Sequence, residues 1–471
     1  MRTINQVYIN GQFITPHGSE VLELLNPANH QLINKVILGD EQDVLAAIAS
    51  AKQAFKTFSR TSVAQRAQYL QQLHDAIIQR VEDLKEATVE EYGATLQRAL
   101  WSNRLAAETF LLFKKLLLDY SFEKQVGASQ VIMEPLGVVA ILTAWNSNSG
   151  SISVKLAAAI AAGCTVVIKP SEFSAWQTQV LAACIHDAGL PAGVINIVNG
   201  RGNVLGPILS SHPDVAAISF TGSTQVGKQV ARSATETMKR VTLELSGKSP
   251  HLLLDDANLE TAIPLAVNAC FNNNGQACIA GSRLLVPEQL LATVKQMIVN
   301  IVGRLKVGDP RIESTDIGPL ASVQQYERIQ HYIQSGIQSG AELLIGGPGK
   351  PEGLSTGNYV KPTVFANVTP DMEIAREEIF GPVLSIMTYG TEEEAIAMAN
   401  DTIYGLLAYV SSTNETRAME VAKQLQAGRV LINTLQHDPL APFGGYKQSG
   451  IGREGGIYGL ESCLQPKVII R

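Results

Sequence analysis

Short apolar runs alternate with helix-like segments in the first half of the chain, and this alternation constrains the fold more than any other feature of the sequence. The runs have the continuous apolar character of strands that are buried on both faces. They are VVAILTAW (138–145), TVVIKP (165–170), VINIVNG (194–200) and AAISFTG (216–222). Segments 154–163 and 176–189 carry apolar residues at helical spacing and end in glycine. The alternation therefore predicts an open, doubly wound α/β sheet.

The regions on both sides of this unit predict further elements. Asn10-Gly11 lies between two β-rich runs in VYINGQFI (7–14) and indicates a hairpin. Amphipathic helices are predicted over 41–58, 62–90 and 96–117. After about Gly247, the strand-like HLLLDDA, RLLVP and VLSIMTYG predict a second α/β domain. Helices accompany these strands near 258–272, 288–303, 322–339 and 391–399.

A stretch over residues 120–133 interrupts the first α/β unit, and the C-terminal CLQPKVII is β-like. An excursion combined with a terminal strand predicts an arm that pairs with another subunit. A local edge hairpin within one chain explains the same pattern, and the residues alone leave both interpretations open.

Composition and charge exclude several function classes. The 43 acidic and 37 basic residues give a formal net charge of −6, and no long Lys/Arg run indicates a nucleic-acid binder. The five cysteines are an odd number without a CxxC pair, so we expect a reducing compartment and no disulfide framework. The eight histidines show no metal-ligand spacing. Since neither a signal segment nor a membrane-length apolar run is visible, we expect a cytoplasmic protein.

Three residues of types used in acyl chemistry lie at strand ends or among small neighbours. Cys278 in NNNGQACIAGSR leaves room for a substrate carbon, although a lone cysteine is more often an inert buried thiol. Glu244 in VTLELSGKSP is a general base if burial raises its pKa, and an ordinary solvated or ion-paired carboxylate otherwise. Asn146 ends an apolar strand, where its amide can donate to an oxyanion or cap the next helix. Ser149 and Ser151 are equally good caps.

Two further segments have the placement of nucleotide-binding residues. Lys169 and Glu172 in VVIKPSE follow a strand, where ligands of doubly wound sheets bind, but they also suit a surface ion pair. FTGSTQVG places Gly222 and Gly227 around a turn from strand to helix, and backbone N–H groups there can bind a pyrophosphate. This segment is neither GxGxxG nor Walker A, so its signal is weak when it is taken alone.

Taken together, these segments resemble the aldehyde dehydrogenase superfamily from about residue 5 to the C-terminus. The matching motifs, in the family's order and spacing, are WN (145–146), KPSE (169–172), FTGST (220–224), LELSGKSP (243–250), GQAC (275–278), EEIFGPV (377–383) and PFGGYKQSG (442–450). The resemblance implies an α/β fold with a Rossmann-like cofactor domain, a second α/β catalytic domain and a small β oligomerisation arm.

The resemblance also implies domain bounds and assembly. The dinucleotide-binding domain comprises 1–119 and 134–246, and the catalytic domain comprises 247–446. The arm comprises 120–133 and 457–471, and through it the family forms homodimers or homotetramers.

A specific reaction follows from the resemblance, namely oxidation of an aldehyde to a carboxylic acid with NAD(P)+. Cys278, as thiolate, attacks the aldehyde carbon to give a thiohemiacetal whose oxyanion is held by the Asn146 amide and the Cys278 backbone N–H. Hydride leaves for the nicotinamide and a thioester remains. Glu244 then activates the water that hydrolyses the thioester, and Lys155 supports the active-site amide. Nucleophile and oxyanion donors must converge on one carbon, since hydride leaves readily only from a tetrahedral alkoxide.

The resemblance assigns cofactor contacts as well. Lys169 and Glu172 bind the adenosine ribose, Ser223 and the backbone around Gly222 meet the pyrophosphate, and Glu378 binds the nicotinamide ribose with Phe380 alongside. Trp145, Ser171 and Gly227 complete the implied cofactor-binding set, and no metal is implied. NAD is favoured over NADP because the Glu172 carboxylate would repel a 2′-phosphate, while Lys169 would attract it.

Some positions depart from the common family pattern. Ser147 and Asn148 replace the usual Phe-Pro after the active-site amide, and we expect a wider or more polar entrance to the substrate tunnel. Ser246 replaces a usual glycine, and we expect its hydroxyl to hydrogen-bond near Glu244.

The substrate and the acyl acceptor are the remaining questions. No charged anchor close to Cys278 in sequence indicates a carboxylate- or amine-bearing aldehyde, Arg283 being the nearest base, so aliphatic or aromatic aldehydes are the default expectation. A CoA-acylating enzyme is one alternative, against which Glu244 counts, because such members commonly lack that base. A non-catalytic structural relative is the other, and it would usually have lost the nucleophile.

Overall fold

The structure is a computed structural model, and it describes residues 1–470. Arg471, the last residue of the predicted arm, lies outside the described residues. The predicted hairpin is confirmed, and Asn10 and Gly11 have the positive φ values, 53° and 75°, that a tight hairpin turn requires. The N-terminal elements are β1 (Arg2–Ile4), β2 (Val7–Ile9), β3 (Gln12–Ile14), β4 (Val21–Leu25), β5 (Leu32–Ile37), α1 (Glu41–Phe58), α2 (Val63–Gln79), α3 (Val81–Tyr92) and α4 (Leu96–Asp119).

The middle of the chain confirms the predicted strand–helix alternation. Helices α1 and α2 before it begin at capping boxes built on Asp40 and Ser62. The middle elements are β6 (Glu123–Val126), β7 (Ser129–Pro135), β8 (Val138–Leu142), α5 (Asn148–Ala162), β9 (Thr165–Lys169), α6 (Ala175–Asp187), β10 (Ile195–Ile197), α7 (Gly202–Ser211), β11 (Val215–Thr221), α8 (Thr224–Thr235) and β12 (Arg240–Glu244).

The second half repeats this alternation and then returns to the first half. Its three predicted strands and four predicted helices are present, with further strands between them. The elements are β13 (Pro250–Leu253), α9 (Leu259–Phe271), β14 (Arg283–Pro287), α10 (Leu291–Val302), α11 (Val323–Gln338), β15 (Glu342–Ile345), β16 (Thr363–Ala366), α12 (Glu373–Arg376), β17 (Val383–Tyr389), α13 (Glu392–Asn400), β18 (Leu407–Ser411), α14 (Glu415–Gln424), β19 (Arg429–Ile432), β20 (Gly450–Ile451), α15 (Gly456–Ser462) and β21 (Leu464–Ile469).

The first large sheet has the strand order β20-β12-β11-β8-β9-β10-β2-β3. Strands β12, β11, β8, β9 and β10 run parallel, β20 and β2 pair antiparallel with the two edges of this set, and β3 pairs antiparallel with β2. The chain moves from β8 outward to β10 and then returns to add β11 and β12 on the other side of β8. The strand order therefore reverses between β8 and β11, which is where ligands bind in sheets of this type.

The second large sheet has the order β15-β16-β17-β14-β13-β18-β19, and all its strands except β15 are parallel. Apolar clusters cover both faces of each large sheet, as two fully buried parallel sheets require. These features confirm the α/β class.

Two small sheets lie outside these layers. One has the order β1-β5-β4. The other pairs β21 with β7 and β7 with β6, so the C-terminal strand joins residues 123–135 within the same chain. Val126 and Val468 of this sheet are 59% and 56% exposed, which leaves an apolar surface on it.

Candidate active site

The loop that carries Cys278 follows α9 and is folded by three consecutive residues with left-handed backbone. Asn273, Asn274 and Gly275 have φ values of 58°, 58° and 70°. A Cβ on Gly275 would lie 2.2 Å from the backbone carbon of Gly381, so only glycine allows the segment around EEIFGPV to pack this closely on the loop.

Side chains of the same loop hold it to its surroundings. The Asn274 amide donates to the backbone oxygens of Gly93 and Pro319 (3.1 and 3.0 Å) and accepts from the backbone of Gly318 (2.8 Å). The Gln276 amide donates to the Tyr92 hydroxyl (3.2 Å). These contacts fix the backbone immediately before Cys278.

Cys278 is half-buried and free, whereas the other four cysteines are fully buried free thiols. Burial raises the pKa of Cys278 to about 12, with smaller contributions from the negative charges of Glu378 and Glu244. The backbone N–H groups of Cys278 and Ile279 oppose this shift because they favour the thiolate. The thiol thus lies in the field of two carboxylates and next to backbone donors.

Asn146, the predicted oxyanion donor, contacts this loop. Its Nδ2 donates to the backbone oxygen of Gln276 (3.1 Å), two residues before Cys278. Asn273 Nδ2 donates to the same oxygen (3.1 Å). The neighbouring Trp145 packs edge-on against Phe380, with 5.4 Å between ring centres. Two segments far apart in sequence, 145–146 and 272–278, therefore meet at one place.

Glu244 ends β12 and is 4% exposed. Neither of its carboxylate oxygens has a hydrogen-bond partner within residues 1–470. Burial raises the pKa of Glu244 to about 8, and the positive charges of Lys155, Arg453 and Arg429 act in the opposite direction. A buried carboxylate that no donor occupies, with a pKa near neutrality, is suited to accept a proton from water.

Lys155 is buried on α5, and the structure places its ammonium on the carboxylate of Glu454 rather than on the Asn146 amide. Ser219 donates to the same Glu454 oxygen (3.2 Å). Burial lowers the pKa of Lys155 to about 7, and the negative charge of Glu244 acts in the opposite direction. Glu454 was missed by sequence reasoning, because it lies 299 residues from Lys155 in a segment that reads as an ordered loop.

Lys169, Ser171 and Glu172 gather at the carboxyl end of β9. Lys169 Nζ and Glu172 Oε2 form an ion pair of 2.9 Å, and both side chains are largely buried. The backbone N–H of Gly202, at the start of α7, donates to Glu172 (3.4 Å). Ser171 accepts from the backbone of Phe173 (3.3 Å) and so shapes the turn after the strand. Because both side chains are largely buried, the alternative interpretation of Lys169 and Glu172 as a surface ion pair is wrong.

Gly222 and Ser223 lie at the carboxyl end of β11, the strand beside the reversal in strand order. The Gly222 backbone N–H donates to the backbone oxygen of Glu244 (3.1 Å), which fixes the two strand ends together. Ser223 caps α8 by accepting from Val226 (3.3 Å). Gly227 packs on α8 against Leu245, whose side chain would lie 2.4 Å from an added Cβ.

Glu378 lies near Cys278, in the segment that contacts Gly275. Its carboxylate accepts from the backbone N–H of Gly247 (3.0 Å). Burial raises its pKa, and the Ser246 hydroxyl and this N–H oppose the shift. The expectation that Ser246 hydrogen-bonds near Glu244 is therefore wrong. The Ser246 hydroxyl hydrogen-bonds Glu378 instead, and neither Glu244 oxygen has a partner within residues 1–470.

Helix α5 begins at Asn148 with Ser147 at its N-cap position. The expectation that Asn146, Ser149 or Ser151 caps this helix is wrong, since the helix begins between these residues. The Asn148 amide donates to Thr178 (3.2 Å) inside the protein.

Arg283 is fully buried and donates to the backbone oxygens of Lys248, Met398 and Ala399, so it holds loops together and does not reach Cys278.

The residues at the carboxyl edge of the first sheet fit a dinucleotide. Asn199 and Thr143, which follow β10 and β8, each have buried side-chain polar atoms without a partner in the part of the chain that the structure describes. They flank the Lys169–Glu172 pair along the same edge. Unpartnered polar atoms, a buried ion pair and a helix N-terminus at one strand edge are the donors and acceptors that ribose and pyrophosphate groups require.

Within residues 1–470, no helix is long and apolar enough to cross a membrane. The same residues contain no cluster of three or more His, Cys, Asp or Glu side chains arranged to hold a metal ion.

Comparisons with known proteins agree on one family. The profile described as the aldehyde dehydrogenase family matches residues 13–469. A 3-succinoylsemialdehyde-pyridine dehydrogenase of a Pseudomonas species is 45% identical, and the alignment covers 100% of this chain and 99% of that protein. A putative aldehyde dehydrogenase of Staphylococcus haemolyticus is 43% identical with the same coverage.

Solved structures give the same result. Aldehyde dehydrogenase C of Pseudomonas syringae, a variant in complex with NAD+ and octanal, superposes with a TM-score of 0.98 at 44% identity, covering 99% of this chain and 96% of that chain. Betaine aldehyde dehydrogenase of Staphylococcus aureus in complex with NAD+ superposes with a TM-score of 0.96 at 34% identity, covering 99% and 94%.

Proposed function

Because this chain belongs to the aldehyde dehydrogenase family, we propose that it oxidises an aldehyde to a carboxylic acid with NAD+ through a thiohemiacetal and then a thioester on Cys278. The observation that carries these residue roles is the convergence of Cys278, the Asn146 amide and the unpartnered carboxylate of Glu244. The three come from different elements, and their chemistry is that of nucleophile, oxyanion donor and base.

The first half-reaction takes place at Cys278. The thiolate attacks the aldehyde carbon after its proton has left to water, and the carbonyl oxygen becomes an alkoxide. The Asn146 amide and the Cys278 backbone N–H donate to that oxygen. The amide is already positioned by its contact with Gln276, so little reorganisation is needed as charge develops. NAD+ supplies the chemistry of hydride acceptance, and a thioester remains on Cys278.

The second half-reaction hydrolyses the thioester. Glu244 takes a proton from a water molecule, which attacks the acyl carbon and releases the carboxylic acid and the thiol. The unpartnered oxygens of Glu244 leave room for that water. Lys155, held by Glu454, is a positioning residue whose charge lowers the pKa of Glu244 and keeps the carboxylate available.

This chain's residues would hold NAD+ along the carboxyl edge of the first sheet. Lys169 and Glu172 hydrogen-bond the adenosine ribose, and Gly222 and Ser223 meet the pyrophosphate at the start of α8. Glu378 binds the nicotinamide ribose. The remaining predicted contacts are Trp145, Ser171, Gly227 and Phe380. NADP binds less well, because Glu172 repels a 2′-phosphate.

Domain organisation, assembly and location are also proposed. Residues 1–119 with 134–246 form the cofactor domain, 247–446 the catalytic domain, and 120–133 with 457–471 the arm. The exposed apolar residues of β6 and β21 support a homodimer or homotetramer formed through the arm. The odd number of cysteines supports a cytoplasmic location.

The test is formation of reduced nicotinamide across a panel of unbranched and aromatic aldehydes, with NAD+ and NADP+ run separately. We expect turnover with NAD+ that is independent of CoA and absent from Cys278→Ser. Turnover that requires CoA would replace hydrolysis by acyl transfer to CoA. No turnover by folded protein on any aldehyde, with or without CoA, would contradict the proposed function and favour a non-catalytic relative.

A further inference from the structure

A narrow polar cleft adjoins the Cys278 loop. It lies between the starts of α4 and α5, and its lining includes Arg98, Ser102, Asn146, Ser149 and Asn273. Asn146 and Asn273 are the residues that contact the backbone of Gln276, so the cleft and the reaction centre share a wall. The cleft therefore lies next to the place where an aldehyde is bound in the proposed reaction.

Arg98 is the charged residue of the cleft. Its guanidinium carbon lies 4.5 Å from the ring centre of Trp101. No Asp or Glu side chain in the described part of the chain lies within ion-pair distance of Arg98, and none lines the cleft. Burial lowers the pKa of Arg98. A partly desolvated cation without an anionic partner is costly to a folded protein, and a bound anion would offset that cost.

The opposite wall of the cleft provides a second, independent indication of an anion. It is the N-terminus of α5, a helix of 15 residues whose N-cap Ser147 makes no side-chain hydrogen bond to the first turn. Ser149, one of the residues that line the cleft, is 4% exposed, and its buried hydroxyl has no hydrogen-bond partner among residues 1–470. Free backbone donors, the positive end of the helix dipole and an unused hydroxyl face the same space as Arg98.

We propose that this cleft binds a carboxylate on the substrate, so that the enzyme acts on the semialdehydes of dicarboxylic acids. The inference rests on the proposed function. Arg98 provides a planar, two-pronged donor that matches a carboxylate, and Ser149 with the start of α5 contacts the other side of the anion. An ammonium group is excluded, because the lining within residues 1–470 offers a cation and no acid. The default expectation of uncharged aldehydes is thereby replaced.

The test compares carboxylate-ended with methyl-ended aldehydes of equal length. Semialdehydes of the four-, five- and six-carbon dicarboxylic acids are measured beside butanal, pentanal and hexanal. For the best-fitting length we expect kcat/KM to exceed that of the methyl-ended partner by roughly tenfold to a hundredfold, the range of one charged hydrogen-bonded contact. In Arg98→Leu we expect this preference to disappear because KM for the semialdehyde rises, while kcat/KM for hexanal changes less than about twofold.

Two further variants separate recognition from folding. Arg98→Lys retains a positive charge but loses the two parallel N–H donors of the guanidinium, so it should keep part of the preference for semialdehydes. Arg104→Leu removes an exposed arginine from the same helix and leaves both substrates unaffected. Thermal unfolding of each variant checks that the cleft is intact.

A binding measurement makes the inference independent of turnover. Calorimetric titration of Cys278→Ala with glutarate and adipate should show saturable binding that Arg98→Leu weakens at least tenfold. Equal binding by both proteins, or equal use of semialdehydes and simple aldehydes by the wild type, overturns the inference and leaves the proposed function standing. Absence of turnover on every aldehyde, with dicarboxylate binding retained, overturns the proposed function instead.

Discussion

Replacement of Glu244 by glutamine tests the proposed base most directly. Glutamine has nearly the shape of glutamate but cannot accept a proton at neutral pH, and the site around Glu244 offers no hydrogen bond within residues 1–470 that the change would break. The first half-reaction does not need this base. Glu244→Gln should therefore form the thioester with release of about one reduced nicotinamide per active site and then turn over roughly a hundredfold or more slowly than the wild type.

The pKa of Glu244 sets the magnitude of the pH effect. With a pKa raised to about 8 by burial, the carboxylate is ionised in roughly one-tenth of the molecules at pH 7 and in nine-tenths at pH 9. Steady-state turnover limited by hydrolysis should then rise roughly tenfold between these pH values. In Glu244→Gln the slow residual turnover should lack this rise.

Stopped-flow absorbance of the reduced nicotinamide separates the two phases. The amplitude and rate of the burst report thioester formation, and the linear phase reports its hydrolysis. Glu236→Gln is the matched control, because Glu236 is exposed after α8 and should leave both phases unchanged. Full steady-state turnover in Glu244→Gln, or a flat wild-type profile between pH 7 and 9, would refute the assignment.

Stability gives an independent check on the same pKa. Because folding raises the pKa of Glu244 from 4.5 to about 8, the folded state retains its proton between these values while the unfolded state loses it. This contribution is fully present at low pH and is lost as the pH rises to about 8. In urea unfolding, the free energy of unfolding of Glu244→Gln should increase relative to that of the wild type as the pH rises from 4.5 to about 8, by at most about 5 kcal/mol. A constant difference across pH would mean that the carboxylate is not buried in its neutral form.

Two further substitutions test the oxyanion donor and the cofactor preference. Asn146→Ala should lower the burst rate roughly a hundredfold or more, because one donor to the alkoxide is lost, with little change in KM for NAD+; an unchanged burst would remove Asn146 from the mechanism. Glu172→Gln should raise the ratio of kcat/KM for NADP+ to that for NAD+ by about tenfold, since the charge repelling a 2′-phosphate is gone and Lys169 remains. A constant ratio would place the adenosine ribose elsewhere.

Local patterns in the sequence predicted most of the strand–helix order, because buried parallel strands and glycine-ended helices leave clear signals. Helix α7 was missed, since Gly202, Gly206 and Pro207 disfavour a helix that packing of Leu205 and Leu209 against the first sheet nevertheless stabilises. The continuous helix expected over 62–90 is divided at Arg80, which donates to Asp187 on α6.

Contacts between residues far apart in sequence limited how much of the candidate site could be predicted. The motifs indicated Cys278, Asn146 and Glu244. The structure shows that Asn146 contacts the Cys278 loop and that Glu244 is buried. Nothing local marks Glu454 as the partner of Lys155, or Arg98 as an unpaired cation beside Asn146. Both depend on how α4, α5 and the C-terminal segment pack, which a single sequence does not reveal. The Ser246 expectation failed for the same reason.

The late segment that carries β20 has a consequence for synthesis of the protein. Strand β20 pairs with β12 through Leu243 and Ile451, and Glu454 follows three residues later on its way to Lys155. The ribosome makes these residues about two hundred positions after Glu244. A nascent chain that has already folded its first parallel strands therefore still lacks β20, which pairs with the strand that carries Glu244. It also lacks Glu454, the carboxylate that contacts Lys155. Peptide elongation thus delays assembly of the hydrolytic half of the site until both large sheets have emerged, so a partly made chain does not carry the complete catalytic apparatus.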